Sequence, residues 1–120
     1  MKVAVSSQGP LLESAVDQRF GRAAWFIVAD TETGAFSAVE NAQNLNAAQG
    51  AGIQSASTVA NQGVEAVLTG HCGPKAFRVL ESAGVRLYLG VQGRVSEALE
   101  QLKAGALKEA AKADVEGHWA

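Results

Sequence analysis

Val64-Glu65-Ala66-Val67-Leu68-Thr69-Gly70-His71-Cys72-Gly73-Pro74-Lys75-Ala76-Phe77 passes in one short span from an apolar run, through a glycine-bracketed loop, into a proline-started segment. Val64 to Thr69 reads as a buried strand and Gly70-His71-Cys72-Gly73 as a tight loop. Pro74 to Ala83 reads as a helix, because proline fits a helix's first turn and Gly84 supplies a stop. The same order recurs downstream. Val85 to Leu89 is a strand, Gly90-Val91-Gln92-Gly93 a loop, and Arg94 to Lys103 a helix with Val95, Ala98, Leu99 and Leu102 on one face. Upstream, a helix from about Ile53 to Gln62 ends at Gly63. Strands alternating with helices of this length predict parallel pairing.

Working back toward the start, the pattern changes. Lys2 to Val5 is a strand, and Ser6 to Arg22 is loop-like, broken at Gly9-Pro10, with a short turn at Leu11–Val16. Ala23 to Ala29 is an apolar run, Asp30-Thr31-Glu32-Thr33-Gly34 has turn chemistry, and Ala35 to Glu40 alternates: a β-hairpin. The expected fold is therefore α/β: a single domain with a mixed, roughly five-stranded sheet flanked by helices. The domain is expected over residues 1–113, closing with a frayed helical turn at Ala106–Ala113. Residues 114–120 form a tail.

The chain has 120 residues, 48% apolar and 18% charged, which describes an ordinary globular domain. Ten basic and twelve acidic residues leave a net charge of −2, so no global footprint for nucleic acid or an anionic membrane exists. Any anion must be captured locally. The single cysteine excludes a disulfide framework, a thiolate-rich zinc site and a one-chain iron–sulfur cluster, and it fits a reducing cytoplasm. No export signal or membrane span is expected.

In open α/β sheets, ligands collect at the carboxyl ends of the strands. Four loops fall there: Ser6-Ser7-Gln8-Gly9, Asn41 to Gly52, Gly70-His71-Cys72-Gly73 and Gly90-Val91-Gln92-Gly93. All carry glycine with hydroxyl, amide or imidazole groups, and none carries a carboxylate. Those at Gly50-Ala51-Gly52 and Gly73-Pro74 lead into helix N-termini, which favour anions. A set of tight turns would use the same glycines, so both readings stay open. The P-loop and dinucleotide fingerprints are absent.

Asp17-Gln18-Arg19-Phe20-Gly21-Arg22 is the densest polar motif. Its arginines can present guanidinium forks to an anion, or Arg19 can pair with Asp17 while Arg22 is simply solvated. His71-Cys72 can be read as base and nucleophile, or as a structural histidine beside a small buried thiol; adjacent residues tend to point apart, which favours the second. Metal binding by His71, Cys72 and His118 needs the tail to fold back. The scattered acids do not assemble a nuclease centre.

Taken together, these landmarks resemble the nitrogenase iron–molybdenum cofactor accessory (dinitrogenase cofactor biosynthesis) family. The shared features are Met1-Lys2-Val3-Ala4-Val5-Ser6, Arg19-Phe20-Gly21-Arg22-Ala23 before an aromatic pair, and Val39-Glu40-Asn41. Gly50-Ala51-Gly52-Ile53, Asn61-Gln62-Gly63-Val64-Glu65-Ala66-Val67, and Gly70 through Gly73-Pro74-Lys75-Ala76-Phe77 complete them. The resemblance spans Met1 to about Leu107. It implies a ribonuclease H-like α/β motif without nuclease acids. The small single-domain form with a Gly117-His118-Trp119 ending is similar to members that hold a molybdenum–copper sulfide cluster without covalent ligation.

That implication fits the residues. A preassembled sulfide cluster needs no protein thiolate; its sulfurs accept hydrogen bonds from backbone N–H, arginine, histidine and amide donors. The expected function is non-enzymatic binding, carriage or storage of an anionic metal–sulfide cluster by a monomer. The expected pocket residues are Ser6, Ser7, Arg19, Arg22, Asn41, Gly50, Gly52, His71, Cys72 and Gly73, with no residue bonded to metal. An alternative is a regulatory or scaffold module that docks a partner ATPase or a cofactor-receiving protein. A small hydrolase using His71 and Cys72 is a third reading.

Overall fold

Along the first strand Val3 and Val5 point to one face of a sheet and Ala4 to the other, and both faces are covered. The computed structural model describes residues 1–41 and 50–111. Its elements are β1 (Lys2–Ser7), a 3-10 turn (Phe20–Arg22), β2 (Trp25–Asp30), β3 (Phe36–Glu40), α1 (Ala51–Ala60), β4 (Ala66–Leu68), α2 (Pro74–Ser82), β5 (Arg86–Tyr88) and α3 (Val95–Lys103). The strands form one sheet in the order β3-β2-β1-β4-β5. The hairpin strands run antiparallel, and β1, β4 and β5 run parallel. This is the mixed α/β sheet expected from the sequence, and its order is compatible with a ribonuclease H-like motif.

Helices α1 and α2 cover one face, where Ala56, Val59, Ala76 and Leu80 meet Ala4, Phe26, Val28, Val67 and Leu87. Helix α3 covers the other, setting Val95 and Ala98 on Val3, Val5, Ile27 and Leu68. Removing that apolar surface from water is the main force holding the layers. The hairpin turns at Gly34, whose φ of +79° is left-handed backbone that glycine adopts without strain.

Most element ends shift by one or two residues from the sequence reading, and two of the differences have a clear physical reason. Strand β1 continues through Ser6 and Ser7, because these residues pair with Phe26 and Trp25 of the hairpin. The frayed helical turn expected at Ala106–Ala113 is not formed over its described part. Glu109 instead bridges Tyr88, and the Ala110 N–H donates to the Leu87 carbonyl at 2.7 Å. The open edge of β5 offered hydrogen bonds that a short alanine-rich helix could not match. The middle of the amide-rich loop at 42–49 and the tail with Gly117-His118-Trp119 lie outside the described residues.

Candidate functional site

Strand direction puts the carboxyl ends of β1, β3, β4 and β5 at one edge, together with the segment leading into β2. The pairs Ser7↔Trp25 and Trp25↔Glu40 mark that edge on the hairpin side. Segment 17–20 crosses it. Asp17 N–H donates to the Ser6 carbonyl at 2.9 Å, His71 N–H to the Gln18 carbonyl at 2.8 Å, and Phe20 N–H to the His71 carbonyl at 3.1 Å. Arg19 and His71 thereby form a parallel bridge beyond the end of β4. The segment fills the cleft where β1 and β4 part, and two backbones meet closely there. A Cβ on Gly70 would lie 2.7 Å from the Gln18 carbonyl oxygen and 2.8 Å from its Cα.

The Gly90–Gly93 loop joins the same edge. Gly90 N–H donates to the Gly70 carbonyl at 2.9 Å, and Gln18 Nε2 donates to the Val91 carbonyl at 3.1 Å. On the other side the 3-10 turn is pegged by Phe20, which is buried with its ring centroid 5.3 Å from that of Phe26. Burial of Phe20 leaves Arg19 and Arg22 exposed on either side of it. Among the described residues neither guanidinium is paired with a carboxylate. Asp17 Oδ1 accepts the backbone N–H of Arg19 at 3.1 Å, so the acid caps its own turn. Helices α1 and α2 start at Gly50 and Gly73 with no side-chain cap and no acid in the first turn, where the helix dipole favours an anion.

The expected site residues separate into two layers. Arg19, Arg22 and Gly50 are exposed and His71 half-buried. Beneath them, Ser6 and Ser7 are fully buried. Ser6 Oγ lies 2.7 Å from both the Asp17 carbonyl and Thr69 Oγ1, and Ser7 Oγ donates to the Gly9 carbonyl at 2.6 Å. Asn41 is also buried, and Nδ2 donates to the Ala23 carbonyl at 2.8 Å and to Ser55 Oγ at 3.0 Å. These three side chains have their donors committed within the protein and shape the rim from below, contrary to the pocket-facing positions expected of them. Gly52 and Gly73 are buried at the helix starts, and the Cys72 thiol is sealed at 1% exposure within the apolar core.

Residues 1–105 match the sequence profile of the family described as dinitrogenase iron-molybdenum cofactor. The chain belongs to that family. The apo form of the orange protein from Desulfovibrio gigas is similar at a TM-score of 0.90 and 37% identity, covering 95% of this chain and 96% of its own. An NMR structure of a Thermotoga protein of the DUF35 family is similar at 0.80 and 36%, covering 97% and 98%. An uncharacterized Methanocaldococcus jannaschii protein is 30% identical over 111 residues, 91% of each chain.

In this member of the dinitrogenase iron-molybdenum cofactor family, sequence reasoning missed Gln18, Ser55 and Thr69. Ser55 had a usable signal: it shares the inward face of α1 with Gly52, Ala56 and Val59, where a lone hydroxyl demands a partner. Thr69 and Gln18 had none, because their partners lie far away in sequence, on β1 for Thr69 and in the Gly90–Gly93 loop for Gln18. Among the described residues no three His, Cys, Asp or Glu side chains gather as a metal site.

Proposed function

We propose that this protein binds, carries or stores a preassembled anionic metal–sulfide cluster, held mainly by non-covalent contacts and without catalysing a reaction. The observation that carries the reading is the Arg19–His71 bridge. It sets the Arg-Phe-Gly-Arg turn against the loop that starts α2, which brings the exposed Arg19 and Arg22 and the half-buried His71 into neighbouring segments. Similarity to the orange protein and to the iron–molybdenum cofactor family supports a cluster-related role. The cargo implied by the resemblance is a molybdenum–copper sulfide.

The donor set suits such a cargo. With the thiol in the core and no three His, Cys, Asp or Glu side chains gathered among the described residues, the described rim offers mainly cations and N–H groups. Guanidinium forks and backbone N–H groups match an anion whose metals are already satisfied by sulfide. A charge-assisted hydrogen bond contributes about 1.5–3 kcal/mol. A few of them can offset an association cost of about 4–15 kcal/mol. A cofactor-receiving protein is the partner this reading requires, and non-covalent holding leaves the cluster free to pass on.

Reconstitution tests it. Adding tetrathiomolybdate and copper(I) to the metal-free protein is expected to give a charge-transfer band that co-elutes with protein, with affinity falling as salt rises. A protein that stays colourless, or holds its colour undiminished in molar salt, contradicts the reading.

A further inference from the structure

Arg22 stands exposed between two carbonyls that are both held from beneath. Ser55 Oγ accepts from Asn41 Nδ2 at 3.0 Å, and its one hydrogen is shared between the Gly21 carbonyl at 3.1 Å and Asn41 Oδ1 at 3.2 Å. The other Nδ2 hydrogen of Asn41 goes to the Ala23 carbonyl at 2.8 Å, and its backbone N–H to the Ala24 carbonyl at 3.1 Å. Three elements thus meet at one point: the 3-10 turn, the end of β3 and helix α1. Ser55 is fully buried and Asn41 is 6% exposed.

Burying a hydroxyl and an amide is costly unless each is bonded, and here each is. Apolar residues of the same size would pack α1 against the turn equally well, but they would not fix which way the Gly21 and Ala23 carbonyls face. A buried hydrogen-bonded network does fix it. The direction of those carbonyls sets the direction in which the residue between them leaves the surface.

We propose that Asn41 and Ser55 are positioning residues that aim Arg22 at the anion-binding rim. This rests on the cluster-binding reading above, and it places Asn41 behind the site rather than in contact with the cargo.

A double-mutant cycle with tetrathiomolybdate and copper(I) as the probe tests it. Arg22→Ala is expected to weaken binding about tenfold or more. Ser55→Ala should weaken it at least about threefold in the wild-type background, and less than about twofold once Arg22→Ala is present. Asn41→Ala is run through the same cycle, so that a poorly folding variant at one position leaves the other to decide. Val59→Ala, in the same helix and buried but bonded to nothing in the turn, should lower the melting temperature and leave binding unchanged. Equal losses in both backgrounds, or a matching loss in Val59→Ala, would mean generic packing and overturn the positioning role. A probe lost in Arg22→Ala but unaffected by Ser55→Ala and Asn41→Ala overturns it alone. A probe bound equally by wild type and Arg22→Ala overturns the anion-binding reading, and the positioning role with it.

Discussion

Arg19 and His71 are joined as partners in a parallel β-bridge just past the carboxyl end of β4, with the backbone N–H of His71 on the Gln18 carbonyl at 2.8 Å. A loop residue from before the hairpin and a loop residue from the parallel half of the sheet are thereby held side by side. Backbone bonds, not side-chain contacts, set the pairing. That makes it insensitive to truncation of either side chain and sensitive to anything that separates the two backbones.

Gly70 is where they can be separated. A methyl group there would meet the Gln18 backbone at 2.7 and 2.8 Å, well inside normal contact, and backbone cannot rotate away. Gly70→Ala is expected to cost about 1–3 kcal/mol, as overpacking does, and to weaken anion binding by displacing Arg19. Denaturant unfolding of the variant checks the first part. A melting curve unchanged from wild type would show that the segment 17–19 is not clamped.

Ser6 supports the same segment from below, 2.7 Å from both the Asp17 carbonyl and Thr69 Oγ1. Ser6→Ala leaves buried partners unsatisfied, at an expected cost of about 1–3 kcal/mol. Urea unfolding should show a lower midpoint with an unchanged slope. A loss below about 0.5 kcal/mol, the range of ordinary surface changes, would contradict the tie.

Asp30 supplies a pH dependence. The Glu32 backbone N–H on its Oδ1 at 2.8 Å, helped by Thr33 N–H and the terminal ammonium and opposed by desolvation, holds its carboxyl below the ordinary value. A depressed carboxyl stabilises the fold above its unfolded pKa, about 3.9, and that stability fades as pH falls through the lower folded value. The difference between wild type and Asp30→Asn, present at neutral pH, should therefore close on acidification below pH about 4. A difference that stays constant with pH would contradict this account of the turn.

The layered arrangement explains what could be read from the sequence and what could not. The hairpin and the βα units were legible because their signals are local: Gly34 ending an acidic turn, Pro74 opening a helix, and Val95, Ala98, Leu99 and Leu102 at helical spacing. The exposure of Arg19 and Arg22 was one of the readings the sequence left open. Which residues stand at the surface was not legible. Ser6, Ser7 and Asn41 look like ligand donors in a sequence, and burial turned them inward: distant partners took the hydrogens of Ser6 and Asn41, and the nearby Gly9 carbonyl that of Ser7. The stretch after α3 misled for the same reason, since the edge of β5 is invisible until the sheet exists.

Cys72 offers a separate check. Sealed at 1% exposure in the core, its thiol should react slowly with iodoacetamide in the native protein and quickly in denaturant. Rapid native alkylation would revive the reading in which His71 and Cys72 act as base and nucleophile.

On the proposed function, charge at the rim, and not sulfur from the chain, holds the cargo. The most direct measurement compares the charge-transfer spectrum and bound molybdenum of wild type, Cys72→Ser and the double variant Arg19→Ala/Arg22→Ala after identical reconstitution with tetrathiomolybdate and copper(I). Cys72→Ser should retain the chromophore, and the arginine variant should lose most of it. The opposite result, colour lost with the cysteine and kept without the arginines, would contradict the account.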